Sequence, residues 1–480
     1  MKIGFINKIL LDIDVHIFLF YKGENFINKL KKLGIELPNI DRLRLDFTGE
    51  YEDIISFYSN KSRIYLVGLG DRDSLTQIML RNMINNVMHH IKKIKCNKIL
   101  LHPVDNLLTQ IETILLYTYS FKKYKTNKKN NKGKKSRWND NRNIKQLYIL
   151  KKDVGDIKNI DYIIESVNMV KDLGNEPGNI LNPIYFSDLI YKHAKKIGVS
   201  VEVLTEKKLK KLNMNTLLSV ASGSKYPASM VVLKHMKGKG KPIVLVGKGI
   251  TFDTGGISIK HSHKMYEMKT DMLGAATVFG IMNAVVKLKL KINLVCLIPI
   301  AENMVGRNAT RPGDIVKSMS GITIEIRNTD AEGRLVMADA ITYGVKMKPK
   351  MIIDISTLTG QQEKVSCGLF STVIGNDRNL ISKLIKSGDR TDERVVEFPL
   401  YPEYLEYTKS NIADIKNAEF SCSASTILGG AFLSNFVGYI PWLHLDIAGT
   451  GFLAHNRSYL SKGVTGVGVR LFIDFLKRLN

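Results

Sequence analysis

Ile243-Val244-Leu245-Val246-Gly247-Lys248-Gly249-Ile250-Thr251-Phe252-Asp253-Thr254-Gly255-Gly256 is the stretch whose reading decides the fold. Its four leading apolar residues carry no polar interruption. With Gly247 they read as a strand, Ile243–Gly247, buried on both faces, the pattern of a parallel sheet. The strand runs into a turn with four glycines, which delivers a lysine and an aspartate five residues apart. Glycines let a backbone approach a ligand closely. A phosphate loop would need G-x-x-x-x-G-K-[ST], which does not match here. An amine beside a carboxylate points instead to an ion pair or a metal site.

Working outward, strands and helices alternate. Ile292–Ile298, Ile322–Ile326 and Met351–Ile355 read as further strands, and Met272–Val286 and Leu335–Val345 as helices. This is a doubly wound α/β layout, in which ligands bind beyond the carboxyl ends of the strands. Upstream, Arg63–Gly70 reads as a buried strand, Ser74–Lys93 as a helix and Lys98–Leu101 as the next strand, an α/β unit with parallel pairing. Helical spacing returns over Asp161–Leu173 and is broken by Gly174-Asn175-Glu176-Pro177-Gly178. The expected organisation is a smaller N-terminal α/β domain over 1–160, a linker helix over 161–176 and a larger α/β/α domain over 177–480.

A length of 480 residues also argues for more than one domain, and 44% hydrophobic with 24% charged residues is a globular mixture. The formal net charge of +26 favours anionic partners through long-range fields. Lys, Asn and Ile are frequent along the whole chain, however, and no periodic basic helix stands out, so the surplus reads as compositional. It is densest between Phe121 and Lys145, where the run Lys122–Lys135 has almost no apolar content and reads as an exposed, mobile insertion. Cys96, Cys296, Cys367 and Cys422 are far apart, which argues against a disulfide framework and for a reducing compartment. The N-terminal apolar runs are broken early by Lys8, Asp12 and Asp14, and no stretch is long and apolar enough to span a bilayer. The cytoplasm is the expected location, with no membrane partner.

The chemistry gathers at the strand ends. After the Lys248–Asp253 turn comes Met268-Lys269-Thr270-Asp271-Met272-Leu273-Gly274-Ala275-Ala276, where Asp271 stands at a helix start and could be a simple N-cap. A third segment, Asn328-Thr329-Asp330-Ala331-Glu332-Gly333-Arg334-Leu335, places two carboxylates two residues apart with an arginine behind them. Each segment alone is weak. Together they bring four carboxylates and a lysine to converging strand ends. Carboxylates crowded together repel unless cations neutralise them, and hard divalent ions prefer oxygen ligands. The combination suggests a paired-metal hydrolytic site.

These segments resemble the leucyl aminopeptidases, the cytosol aminopeptidase family (peptidase family M17). The octapeptide Asn328–Leu335 is that family's complete signature. The likeness extends to Val246–Lys260, Met268–Ala276, Arg311–Asp314, Ser356–Gly360 and His444–Thr450, and it is much looser before residue 165. The resemblance implies that Lys248, Asp253, Asp271, Asp330 and Glu332 bind two divalent ions, Mn2+ or Zn2+, with Asp253 and Glu332 serving both. It implies catalytic roles for Lys260 and for Arg334, the latter through a bound bicarbonate. Met268, Thr357 and Gly360 fall at positions that shape the pocket for the first side chain. It further implies peptide substrates cut at the N-terminus, with Leu preferred, and a homohexamer.

Two departures stand beside it. His261-Ser262-His263 follows Lys260 where relatives carry other residues; two histidines invite a ligand reading, but an exposed loop is the simpler one. Asn417–Ser423 replaces a glycine-rich segment. The competing function is DNA binding, added to or replacing peptide hydrolysis. Some bacterial relatives combine the two, and the +26 charge makes it worth testing.

Overall fold

A computed structural model of the chain describes residues 1–7, 12–126, 144–150 and 159–479. Most of the basic insertion expected between Phe121 and Lys145 therefore lies outside the described residues, as do 8–11 and 151–158. The chain divides into two compact units. One comprises Met1–Ile164 with Asn456–Ser461, the other Glu165–His455 with Lys462–Asn480.

The first unit is built on a six-stranded sheet ordered Lys2–Ile6, Gln146–Leu150, Lys98–His102, Val15–Phe20, Ser62–Gly68 and Ile54–Ser59. All its pairings are parallel except the last. The helix expected over Ser74–Lys93 runs over Gln77–Lys92, and Thr76 caps it by accepting from the Met79 amide. Val15–Phe20 is buried along its whole length, as a central parallel strand must be.

In the second unit, Ile243–Gly247 is the strand expected, and all five residues are buried. It lies inside a nine-stranded sheet. The path runs Val395–Glu397, Ser371–Gly375, Trp442–Asp446, Met351–Ser356, Ile243–Gly247, Asn293–Asn303, Ser229–Met236 and Ser200–Thr205. The ninth strand, Gly249–Asp253, pairs with the far half of Asn293–Asn303, so one long strand supports both halves of the quoted stretch. Lys248 sits at the break between them. The four central strands form a parallel block, which Ser371–Gly375 and Ser229–Met236 join from either side by antiparallel pairing.

Helices cover both faces. Leu335, Val336 and Ile341 of the helix Gly333–Val345 pack in one cluster with Val244, Val246, Val295, Leu297 and Ile352. The alternate strand residues face the helix Leu273–Lys287, where Cys296 Sγ lies 3.8 Å from the Val278 carbonyl oxygen. That helix is buried from Leu273 to Val285, which explains why its sequence is apolar all round. Its first turn abuts the sheet. A Cβ at Gly274 would fall 2.2 Å from the Ile355 oxygen, so only glycine allows this approach.

Ile322–Ile326, read as one of the alternating strands, contributes only Thr323–Glu325. This belongs to a separate three-stranded sheet with Ile315–Lys317 and Ile415–Lys416. Ile324 and Ile326 are buried while Thr323 and Glu325 are half-buried. That alternation marks a one-faced sheet, not the doubly covered interior of the main one. Among the described residues no helix is long and apolar enough to cross a membrane.

Candidate active site

Five strands of the main sheet end at one place. Their carboxyl ends deliver Lys248 just after Gly247, then Asp253, Asn303, Ser356 with Thr357 behind it, and Asp446. Asp271 arrives just before the helix Leu273–Lys287, and Asp330 and Glu332 arrive just before the helix Gly333–Val345. Asp271 does not act as the N-cap; that position is Met272, without a side-chain bond.

Each of two lysines lies between two carboxylates. Lys248 Nζ is 2.7 Å from Asp271 Oδ1 and 2.8 Å from Glu332 Oε1, and it donates to the Thr357 carbonyl oxygen at 3.0 Å. Lys260 Nζ is 2.8 Å from Asp253 Oδ2 and 2.6 Å from Asp330 Oδ1. Thr357 Oγ1 donates to Asp271 Oδ1 at 2.7 Å. Lys248, Asp253, Asp271 and Glu332 are buried, and Asp330 is half-buried. Room for Lys248 comes from a glycine on the facing helix: a Cβ at Gly333 would stand 2.5 Å from Lys248 Cε and 2.7 Å from Nζ.

Charge at the site is strongly coupled. Burial opposes ionisation of both lysines, yet the carboxylates outweigh it. Asp271, Glu332 and Asp253 hold Lys248 above its ordinary range, and Asp253, Glu332 and Asp330 do the same for Lys260. Burial raises Asp253, and raises Asp271 well above the usual carboxylate range. Burial together with Asp253 and Glu332 pushes Asp330 up to about 7. Burial acts on Glu332 in the same sense, but Lys248 and Lys260 prevail and lower it.

The donor set fits divalent cations. Four carboxylates face two ammonium groups, so negative charge is in excess. Asp271 Oδ2 and Glu332 Oε2 are buried without a hydrogen-bond partner, a costly arrangement for a carboxylate unless a cation takes the oxygen. Asp253, Asp330 and Glu332 each offer an oxygen within 4.8 Å of the others. Oxygen donors at this density suit hard ions. His261 and His263 are exposed and join no such group among the described residues.

Arg334 lies in the first turn of its helix. Its Nη1 donates to the Asn417 carbonyl oxygen at 2.8 Å, and its buried Nε has no hydrogen-bond partner. Burial lowers this guanidinium to about 10. Of the pocket positions, Thr357 belongs to the Lys248–Asp271 cluster. Half-buried Met268 connects to it through the backbone, accepting from the Asp271 amide at 3.3 Å. Gly360 opens the helix Gly360–Ser366, exposed, with empty space where a Cβ would be.

Three further residues frame the site, though none of them is assigned a role in it from the sequence. Asn303 Nδ2 donates to Asp253 Oδ1 at 2.8 Å and to the Thr329 carbonyl oxygen at 3.1 Å. Thr329 Oγ1 donates to the Gly255 oxygen at 2.6 Å, tying the two carboxylate-bearing loops together. Asp446 accepts from the Leu358 and Ala448 amides at 3.1 and 3.0 Å and from Thr359 Oγ1 at 2.7 Å, fixing the loop that holds Thr357.

Comparison with known proteins identifies the family. The profile of the cytosol aminopeptidase family, catalytic domain, matches residues 168–473, and that of the family's N-terminal domain matches residues 43–128. A probable cytosol aminopeptidase of Geotalea uraniireducens is 39% identical, over 96% of this chain and 94% of its own length. One from Phytoplasma australiense is 38% identical over 99% of both chains. Among solved structures, the bottromycin maturation enzyme BotP in complex with Mn superposes with a TM-score of 0.84 at 25% identity, covering 97% of this chain and 99% of BotP. The chain belongs to the cytosol aminopeptidase family.

Proposed function

We propose that this family member is a metal-dependent aminopeptidase that holds two divalent ions, Mn2+ or Zn2+, and removes N-terminal residues from peptides, Leu and other apolar residues above all. One observation carries the reading: four carboxylates and two lysines meet beyond the sheet's carboxyl ends, with buried carboxylate oxygens lacking protein donors. Lys248, Asp253, Asp271, Asp330 and Glu332 would hold the ions. Divalent ions in such a site polarise a carbonyl and make water a nucleophile near neutral pH.

The chain's own residues have separable tasks. Lys248 must lose its proton to act as a ligand, since an ammonium offers no lone pair. Lys260, kept protonated by its carboxylate neighbours, is the donor for an oxyanion developing on the scissile carbonyl. Arg334 can grip a planar anion through parallel N–H bonds, and bicarbonate has both that shape and the ability to relay a proton. A free substrate amine, whose lone pair one ion could take, would explain why only N-terminal residues are removed. Met268, Thr357 and Gly360 border the pocket for the first side chain, where the missing side chain of Gly360 leaves space. A cytoplasmic homohexamer belongs to the same reading.

The test is release of Leu from a leucine amide by metal-stripped protein, with and without added Mn2+. Hydrolysis that appears on Mn2+ addition is expected. No hydrolysis at any Mn2+ concentration would remove the assignment.

A further inference from the structure

Asn417 is fully buried, and its side chain uses both ends of its amide on one loop. Oδ1 accepts from the Arg327 amide at 2.8 Å and the Asn328 amide at 3.3 Å. Nδ2 donates to the Asn328 oxygen at 2.7 Å and to the Ala331 oxygen at 3.4 Å. These backbone groups frame the turn that presents Asp330 and Glu332. The residue's own backbone is engaged as well: its amide donates to the Glu325 oxygen at 3.0 Å, and its carbonyl accepts from Arg334.

A turn that must present two carboxylates toward each other and toward Asp253 works against their repulsion. Without an outside anchor it would relax and spread its charges. The amide of Asn417 supplies that anchor without adding charge. An aspartate there would keep the acceptors but lose both donors and add a fifth negative charge near the group. A glutamine would put an extra methylene where the side chain is fully buried.

We propose that Asn417 is a positioning residue that preforms the Arg327–Glu332 turn, so that Asp330 and Glu332 stand ready before any ion arrives. The proposal rests on the assignment of Asp330 and Glu332 as metal ligands. Its division of labour is specific: the side chain serves the carboxylate turn, while the backbone carbonyl serves Arg334. Asn417→Ala removes the first and leaves the second.

The experiment compares wild type, Asn417→Ala and Asn417→Asp, all metal-stripped. Mn2+ binding is measured by calorimetry, and amide hydrogen exchange is followed in the peptide covering Arg327–Leu335 with no metal present. The expected result is Mn2+ affinity weakened about 10- to 100-fold in both variants, the usual scale for partners that orient ligands. Exchange in that peptide should be faster while the Ile243–Gly247 strand stays protected, which separates loss of anchoring from general unfolding. Bicarbonate stimulation should persist in Asn417→Ala. Wild-type affinity together with wild-type exchange in Asn417→Ala would overturn the proposal. A variant that exchanges faster everywhere, strand included, would also overturn it, since Asn417 would then be supporting the fold at large. Absence of Mn2+ binding in the wild type would instead overturn the metal assignment itself.

Discussion

At the inner end of the site, the Lys248 ammonium lies between Asp271 and Glu332 with 3% of its side chain exposed; at the outer end, the Lys260 ammonium lies between Asp253 and Asp330 with 24% exposed. The chemical arrangement is the same, one cation shared by two carboxylates. The surroundings differ. The inner group also donates to the Thr357 carbonyl and is packed against Gly333, so it is held on all sides. The outer group has water on one side. A charge without solvent acts on whatever is built around it, whereas a charge in reach of solvent can act on a substrate. The inner end is closed around its cation, and the outer end leaves its cation open to an incoming molecule.

Ligand removal should produce the largest effect. Asp253→Ala takes one carboxylate from the outer end and Glu332→Ala one from the inner end. Both should nearly abolish turnover while circular dichroism stays native, and metal analysis should find fewer than two ions per chain. Full occupancy and normal turnover in either variant would break the comparison at its root. Next comes Lys260→Ala. It should keep two ions yet lower kcat by a factor of about 100 to 1,000, the usual loss for one oxyanion donor, with a smaller change in KM. If Lys260→Ala lost metal as Glu332→Ala does, the outer lysine would be structural too. Arg334→Ala should be milder, because water or another base can replace the relay in part. Added bicarbonate should stimulate the wild type and leave this variant unmoved; an equal response in both would return Arg334 to a structural role. The smallest effect belongs to the other unit. Deleting Lys122–Lys135 should leave turnover of the leucine amide unchanged. Any DNA binding by the wild type should weaken in the deletion and its salt slope become shallower, since fewer phosphates would be neutralised; an unchanged slope would rule out this segment as the contact.

The elements that were legible in the sequence are those with a single environment along their length. Ile243–Gly247 is buried throughout and matches residue for residue. The helix expected over Leu335–Val345 begins only two residues earlier, at Gly333. Asn293–Asn303 is harder: reading it as Ile292–Ile298 stops short because Pro299, Glu302 and Asn303 resemble a loop. They are buried all the same, since the strand continues to support Gly249–Asp253. The charged residues of the site announced themselves through their density, because carboxylates rarely gather without cause. Asn303, Thr329 and Asn417 did not. A buried amide that satisfies backbone groups has the same letter as one solvated in a turn, and only the fold tells them apart.

Gly333 has a consequence for how this chain can change. At the start of a helix, exchanging glycine for alanine is a routine stabilising substitution, worth up to about 1 kcal/mol. Here the added methyl would claim the volume occupied by the end of another residue's side chain, Lys248. The two positions behave as one composite residue, with its backbone contributed by one segment and its bulk by another. Neither can be optimised alone: a shorter residue at 248 would free the space but discard the amine, and a side chain at 333 would force the amine to shift from its partners. An engineer seeking thermostability, or a lineage drifting toward it, meets a locked pair of coordinates at this point and has to look for gains elsewhere on the helix.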